Sequence, residues 1–403
     1  MGIAAIVLAA CSPTGAADLS SRSLGHAAAP PTTALPATPP VRETAPEPPQ
    51  PQIQDVSPAL AADRSATRYL VSVTAVLPDG FADGIARLPG VLASVVRVGN
   101  VAVVETRAAD GTVIDRAPDG FVIPVEIQQM DPTAHRRFVP EPAAEMFAEL
   151  ADDEIILSEA SARFRRMRVG DALRLDDGMM LTVAGIVADE WVGAAEVVST
   201  RPTPFPDSRE RYVVVDFSGS RAELERRLAE LTEESVRVLS SAEVPILRHA
   251  DAVLPQIAVK ERYGEFAYRP GGGDRIEIDP AWVEANIVSI SVPLLGQVTC
   301  HREFAAQLRT VMTRLEAGGS GDVIDREAYL GCWNPRFVRG RRDLSRPAWG
   351  VAADINFGKD LAATASPIAP PLLRAMGRAG IRSGHTWTNP GPGHFEWYGT
   401  TPR

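Results

Sequence analysis

Three blocks near the C-terminus carry the most specific information in this chain. They read GCWNPRFVRG at 331–340, LSRPAWGVAADIN at 344–356 and WTNPGPGHFE at 387–396. The chain has six histidines, and three of them, His301, His385 and His394, lie beyond residue 300. Four common catalytic signatures are missing from the sequence: His-Glu-x-x-His, Cys-x-x-Cys, Gly-x-Ser-x-Gly and a Walker-type glycine loop. The search for a metal or acid–base site therefore narrows to this C-terminal region.

The three blocks, in this order, resemble the D-alanyl-D-alanine carboxypeptidase and L-alanyl-D-glutamate endopeptidase family. These zinc enzymes cut the peptide stems of bacterial peptidoglycan, and the resemblance runs from about Glu261 to Tyr398. It implies a small antiparallel sheet behind a metal cleft, with helices packed on the sheet. In the family pattern, Ser-x-His-x-x-Gly-x-Ala-x-Asp supplies two zinc ligands, and Asp-x-x-His supplies the general base and the third ligand. Asp354 and His394 match two of these ligands.

The other half of the family pattern is replaced in this chain. Pro347, which has no donor atom, stands at the first ligand position, and Gly391, which has no side chain, stands at the general-base position. Catalytic zinc sites use three protein ligands and an open fourth position, so two ligands are a poor basis for retaining the metal. Zinc is therefore a doubtful cofactor here. His385, and also His301, are conceivable substitutes for the missing ligand.

The substrate-holding residues match the family better than the cutting residues do. Arg336 stands where the resemblance implies an arginine that grips a carboxylate of the stem peptide, and guanidinium pairs with carboxylate in a bidentate way. Ser345 matches the motif serine and is expected to hydrogen-bond the ligand. Residues 330–403 carry ten Lys+Arg and four Asp+Glu, a net +6, which suits an anionic ligand. Arg339, Arg341, Arg342 and Arg346 add positive charge around Arg336, and a solvated basic loop is the alternative explanation for these four.

Composition sets the limits for the rest of the chain. Its 403 residues are enough for two or three folded parts, and 45% of them are hydrophobic. The net charge of −10 argues against nucleic acid as a partner.

The three cysteines suggest export. Cys11 closes the apolar run IVLAAC at 6–11, which resembles a bacterial lipoprotein signal whose cysteine is acylated, so a lipid anchor in the membrane is expected. That run is too short to span a bilayer, which takes about 20 residues. Cys300 and Cys332 are expected to form a disulfide in the oxidising compartment. Two buried free thiols are the alternative.

The stretch between the expected signal and the folded region is predicted to be a linker. Residues 12–58 hold eleven prolines and no aromatic residue, so they cannot bury enough apolar area to offset the entropy of ordering. We place this disordered, proline-rich tether at 12–65, after the signal at 1–11. The proline-rich stretch 12–58, when extended, reaches up to about 150 Å at roughly 3.1 Å per residue.

The middle of the chain, 66–250, is predicted to be an α+β extracytoplasmic domain. Its patterns indicate a strand at Tyr69–Leu77, a hairpin at Val95–Thr106 that turns at Gly99-Asn100, and a third strand at Phe121–Gln128. The segment 155–187 resembles the extracytoplasmic core of MacB- and FtsX-type ABC permeases. No cluster of catalytic residue types occurs in this part. A spacer or a module that binds an envelope protein is therefore expected.

The sequence thus predicts an exported α+β protein whose residues 255–403 form the carboxypeptidase-like domain. Three functions remain open. The domain binds peptidoglycan stem peptides with little or no hydrolysis, or it is an active zinc peptidase with a rearranged site, or the chain is a structural envelope lipoprotein that makes protein contacts.

Overall fold

The architecture comes from a computed structural model that describes residues 67–73, 76–192, 195–240, 254–338, 342–357, 368–385 and 391–399. The expected signal, Cys11 and the whole tether lie outside these residues. These described residues belong to one compact unit. No helix among the described residues is both long enough and apolar enough to cross a membrane. The fold class is α+β, as predicted, with one large mixed sheet and three small ones.

The part of the unit between 67 and 240 is called here the sheet lobe, and its described residues contain ten strands and five α-helices. The strands are β1 (Thr67–Ser72), β2 (Val91–Arg107), β3 (Val113–Arg116), β4 (Ile123–Met130), β5 (Glu154–Ser158), β6 (Ala172–Leu175), β7 (Met180–Val187), β8 (Val197–Ser199), β9 (Arg209–Phe217) and β10 (Arg237–Ser240). The helices are α1 (Phe81–Ala86), α2 (Pro132–His135), α3 (Glu141–Glu149), α4 (Glu159–Arg165) and α5 (Arg221–Ala229).

One long strand organises the sheet lobe. The strands run in the order β10-β1-β9-β2-β4-β8-β5-β7-β6, and β6 pairs again with β2. A closed ring therefore surrounds a core that includes Val103, Ile127 and Leu181, and it consists of the six strands β2, β4, β8, β5, β7 and β6. Strand β3 lies outside this ring and pairs only with β2. The 17-residue strand β2 belongs both to this closed part and to the open β10-β1-β9 side.

The predicted hairpin at Val95–Thr106 is wrong, because β2 runs straight through it. Gly99 and Asn100 do not turn; they pair with Ile127 and Glu126 of β4. A side chain at Gly99 would put its Cβ 2.8 Å from the backbone of Asp207 and Ser208. Position 99 therefore needs glycine because another backbone approaches it closely. In the sequence, a glycine of this kind looks the same as a glycine in a turn.

A buried histidine in the sheet lobe makes stability depend on pH. His135 is 6% exposed, and its Nδ1 lies 2.9 Å from Ser94 Oγ. Burial, helped by the positive charge of Arg68, lowers the pKa of His135 from 6.5 to about 3. The unfolded chain takes up this proton more readily than the folded chain. The stabilisation that the folded protein gains from keeping His135 neutral is therefore complete above pH 6.5 and is lost as the pH falls towards 3.

We expect the free energy of unfolding to fall by up to about 1.4 kcal/mol per pH unit as this group titrates in the unfolded chain. Denaturant unfolding of the native protein and of His135→Gln between pH 7.5 and 4.5 measures it. The variant should be less stable at pH 7.5 and should show a shallower slope. Equal slopes would show that His135 does not bear this proton linkage.

The remaining residues, 254–399, are called here the C-terminal lobe. Its helices are α6 (Gln256–Tyr263), α7 (Pro280–Asn286), α8 (Arg302–Ala317), α9 (Arg346–Trp349) and α10 (Pro370–Arg378). Its strands are β11 (Tyr268–Pro270), β12 (Ile276–Ile278), β13 (Ile287–Val292), β14 (Gly296–His301), β15 (Ala352–Asp354), β16 (Ile381–Gly384) and β17 (Gly391–Trp397).

The C-terminal lobe is built on small antiparallel sheets. β15, β17 and β16 form a three-stranded sheet in that order, β13 pairs with β14, and β11 pairs with β12. The amphipathic helix α8 buries Phe304, Leu308 and Met312 in a core that also contains Phe395 of the three-stranded sheet. This core holds the sheet that carries both candidate metal ligands.

The predicted disulfide between Cys300 and Cys332 is confirmed. The bridge joins β14 to the segment 331–337, both cysteines are buried, and 32 positions separate them in the sequence. The segment is also held at Trp333, whose N–H donates to Thr299 O at 2.9 Å. The bridge therefore fixes one end of the segment that carries Arg336.

Loss of this bridge should destabilise the protein by about 3 to 4 kcal/mol, because the closed loop limits the unfolded chain. Unfolding of the oxidised protein, compared with a Cys300→Ala/Cys332→Ala variant, measures this difference. Mass spectrometry after alkylation without reductant should find neither cysteine modified. Two alkylated thiols in the native protein would contradict the pairing.

A buried network of charges joins the two lobes. Glu196 of the sheet lobe is fully buried, and its carboxylate lies 2.8 Å from Nζ of Lys260 on α6 and 2.5 Å from Nη2 of Arg165 on α4. Glu265, just after α6, contacts Lys260 at 2.7 Å and Arg165 at 2.7 Å. Gln256 Nε2 donates to Glu196 at 2.9 Å. The lobes thus share a closed set of two cations and two anions.

Candidate functional site

Asp354 and His394 lie directly opposite each other on neighbouring strands. They are register partners at the end of β15 and in β17, and the chain segment at Gly331 forms an isolated bridge with Asp354 on its other side. Their side chains are 29% and 17% exposed. The structure therefore brings the two sequence-predicted ligands together at a partly open position.

His394 lies between two carboxylates. Its Nδ1 is 2.8 Å from Asp354 Oδ1, and its Nε2 is 3.4 Å from Glu396 Oε2. A neutral imidazole has only one N–H and can donate to only one of two acceptors. Both contacts are hydrogen bonds when both ring nitrogens carry a proton. The arrangement therefore fits an imidazolium that donates to Asp354 strongly and to Glu396 more weakly.

Electrostatics favour the same protonation state. Burial alone would lower the pKa of His394, but hydrogen bonds to Asp354 and Glu396, together with their negative charges, raise it from 6.5 to about 9. Glu396 is only 2% exposed, so its carboxylate is shielded from water. A proton, rather than a free lone pair, therefore lies between Nδ1 and the Asp354 carboxylate at neutral pH.

Pro347 fits its position in the helix and gives nothing to a metal. It lies in the first turn of α9, where a proline costs little because the first N–H groups of a helix have no partner within it. Its carbonyl oxygen accepts hydrogen bonds from Asn334 N at 2.9 Å and from Gly350 N at 3.0 Å. This residue therefore stabilises the fold around the site through its backbone.

The other residues considered for the missing functions are spread out. Gly391 begins β17 and pairs with Gly384, and His385 follows Gly384 with an exposed side chain. Three strand positions, about 10 Å, separate Gly391 from His394 along β17. His301 is buried, stacks edge-on against Tyr263 at 4.7 Å, and accepts from the N–H of Glu303. His301 therefore caps helix α8.

This donor set does not fit the zinc centre that the family resemblance implies. Asp354 and Glu396 contact opposite nitrogens of His394, so the three groups do not converge on one point. Among the described residues, no group of three His, Cys, Asp or Glu side chains is placed to hold a metal ion. Asp354 and His394 alone provide two ligands, whereas a catalytic zinc site uses three protein ligands.

Arg336 and Ser345 lie at the crossing of two segments. The N–H and the Oγ of Ser345 both donate to the carbonyl of Arg336, at 3.2 and 2.9 Å. The hydroxyl predicted to contact a ligand therefore holds the backbone of the arginine. The half-buried Arg336 guanidinium donates to Phe337 O at 3.4 Å and makes no ion pair with any described carboxylate.

Glu396 is the site residue that sequence reasoning missed. It belongs to the third quoted block, yet it received no role there. The spacing of Glu396 from His394 could have indicated this contact. Residues two apart on a strand face the same side of the sheet, so a carboxylate two positions after His394 can reach the imidazole. Hydrogen-bonded carboxylates commonly orient histidines in this way.

Comparisons with known proteins give little further information. No family model matches the chain, and none of the curated proteins matches it significantly. Among solved structures, the chain is similar to a domain of a protein from Porphyromonas gingivalis that is provisionally described as a permease. The match has 14% sequence identity and a TM-score of 0.30, and it covers 47% of this chain and 94% of that chain. A likeness this low assigns neither a fold nor a function.

Proposed function

We propose that residues 255–403 form a domain of the D-alanyl-D-alanine carboxypeptidase type that binds peptidoglycan stem peptides with little or no hydrolysis. The observation that carries this proposal is the environment of Arg336. Its guanidinium is half-buried and has no carboxylate partner among the described residues. A stem peptide ends in a carboxylate, which is the group that a guanidinium pairs with most specifically.

Binding is helped by the way Arg336 is held. The disulfide fixes one end of its segment, the N–H of Ile276 donates to Pro335 O at 3.2 Å, and Ser345 holds the carbonyl of Arg336 itself. A backbone fixed before the ligand arrives loses little entropy on binding. These contacts support a preorganised carboxylate-binding position.

Weak or absent hydrolysis follows from the chemistry of two positions. Pro347 supplies no third ligand, and Gly391 supplies no carboxylate to accept a proton from attacking water. Loss of a general base alone costs about 10²- to 10⁴-fold in rate. Asp354 and His394 bind each other, and we assign them to holding β15 against β17 and to lining the peptide cleft.

The cellular setting is part of the same proposal. We place the protein outside the cytoplasm, anchored in the membrane through a lipid on Cys11 and facing the cell wall. The disulfide supports this placement, because such bonds persist in oxidising compartments. We assign the sheet lobe to a spacer or protein-binding role of the MacB/FtsX type.

Replacing Arg336 tests the proposed function. Arg336→Gln should weaken binding of a defined stem pentapeptide at least about tenfold, since a charged hydrogen bond contributes about 1.5 to 3 kcal/mol. Isothermal titration calorimetry measures the affinity. Arg378→Gln, which removes an exposed arginine from α10, is the matched control and should bind like the native protein. Equal affinities of the native protein, Arg336→Gln and Arg378→Gln for the peptide would contradict the proposal.

A further inference from the structure

A second candidate binding site lies between the sheet lobe and the C-terminal lobe. A cavity of about 360 Å³ opens there, which is within the usual range for pockets that hold small molecules. Six charged side chains line it, three of each sign: Arg209, Arg211, Arg342, Asp207, Asp274 and Asp343. The function proposed above assigns no role to any of these six side chains.

One of the lining residues is a buried cation, Arg211. The Arg211 side chain is 2% exposed, and its Nη1 lies 3.9 Å from Asp343 Oδ2. Arg211 belongs to β9 of the sheet lobe, whereas Asp343 belongs to the C-terminal lobe. The two lobes therefore contact each other here through an ion pair between residues that are far apart in the sequence.

The other four charges do not neutralise one another. Among the described residues, Arg209, Arg342, Asp207 and Asp274 form no ion pair. The Arg209 guanidinium instead donates to the carbonyls of Pro206 and Ser208, both at 2.8 Å. Arg342 lies over the Phe337 ring, 5.1 Å from its centroid. Two cations and two anions thus face one cavity without pairing there.

We infer that this cavity binds a small zwitterion, an amino acid or a dipeptide with a free ammonium group and a free carboxylate. An anion alone would be attracted by the arginines and repelled by the aspartates. A cation alone would be attracted by the aspartates and repelled by the arginines. A molecule with both charges satisfies both sets. In this arrangement Arg342 binds the carboxylate and Asp274 binds the ammonium group. The inference is independent of the proposed stem-peptide cleft.

The experiment uses the full chain and three probes: the dipeptide Ala-Ala, its N-acetyl form and its C-terminal amide. Each blocked form removes one charge and keeps the size similar. Ala-Ala should bind at least about tenfold more tightly than either blocked form in calorimetry. If the protein binds no probe at about 10 mM, or binds all three equally, the inference is wrong.

Two variants, at the half-buried Asp274 and the exposed Arg342, locate the binding. Asp274→Asn should remove the preference for Ala-Ala over the acetylated form, and Arg342→Gln should remove the preference over the amide. Asp83→Asn and Arg378→Gln remove exposed charges elsewhere and should change neither preference. Binding that is lost in Arg336→Gln, and unchanged in both cavity variants, would assign the dipeptide to the stem-peptide cleft and overturn the inference.

Discussion

Glu196→Gln is expected to lower the free energy of unfolding by about 3 to 5 kcal/mol, which is the usual cost of removing one partner from a buried ion pair. The substitution keeps the shape of the side chain and removes its charge. Lys260 is fully buried and Arg165 is 3% exposed, and among the described residues Glu265 would be the one carboxylate left beside both cations. Because this network joins the lobes, the loss should appear in a single unfolding transition measured in denaturant.

Two controls make this result specific. Glu277→Gln removes a carboxylate from the exposed ion pair with Arg269 and should cost less than about 1 kcal/mol. Glu196→Leu combined with Lys260→Met removes both charges together and should recover much of the lost stability. If Glu196→Gln costs no more than Glu277→Gln, the network does not hold the lobes together.

Pro347→His combined with Gly391→Asp is expected to give the protein zinc and peptidase activity. The first change offers the third ligand beside Asp354 and His394, and the second offers a general base. We expect about one zinc per chain and stem-peptide hydrolysis at least about 10²-fold above the native protein. Elemental analysis and release of D-alanine measure the two effects.

The single variants separate the two contributions. Pro347→His alone should bind zinc with only a small gain in rate, and Gly391→Asp alone should gain neither. A double variant that stays both metal-free and inert would mean that Asp354 and His394 are not arranged as a metal-binding pair. A native protein with about one zinc per chain would contradict the account more directly.

The sequence predicts individual helices and strands better than it predicts how the strands pair into the closed sheet. The pattern Ser220-x-x-Glu223 is a capping box, which predicts a helix starting at Arg221. In the structure the helix does start there, and Ser220 Oγ accepts from Glu223 N at 3.2 Å. The straight path of β2 could not be foreseen, because Gly99 is required by a backbone more than 100 positions away in the sequence. Its role depends on contacts that local patterns do not contain.

The candidate site shows a similar division. The motif spacing identified Asp354 and His394, and the structure places them side by side. Lys260 is one of only two lysines in the chain, and none of the sequence motifs includes it. Its burial depends on Glu196 and Glu265, which are separated in sequence and meet only in the folded chain. The cavity charges at Arg211 and Asp343 were missed for the same reason.

The central claim is that the C-terminal lobe binds stem peptides and leaves them intact. The most direct measurement incubates the native full chain with a defined stem pentapeptide and added zinc, follows binding by calorimetry, and examines the recovered peptide by mass spectrometry. We predict one bound peptide per chain, recovered at its full mass. Release of D-alanine at rates usual for such peptidases, or the absence of any binding, would contradict the account.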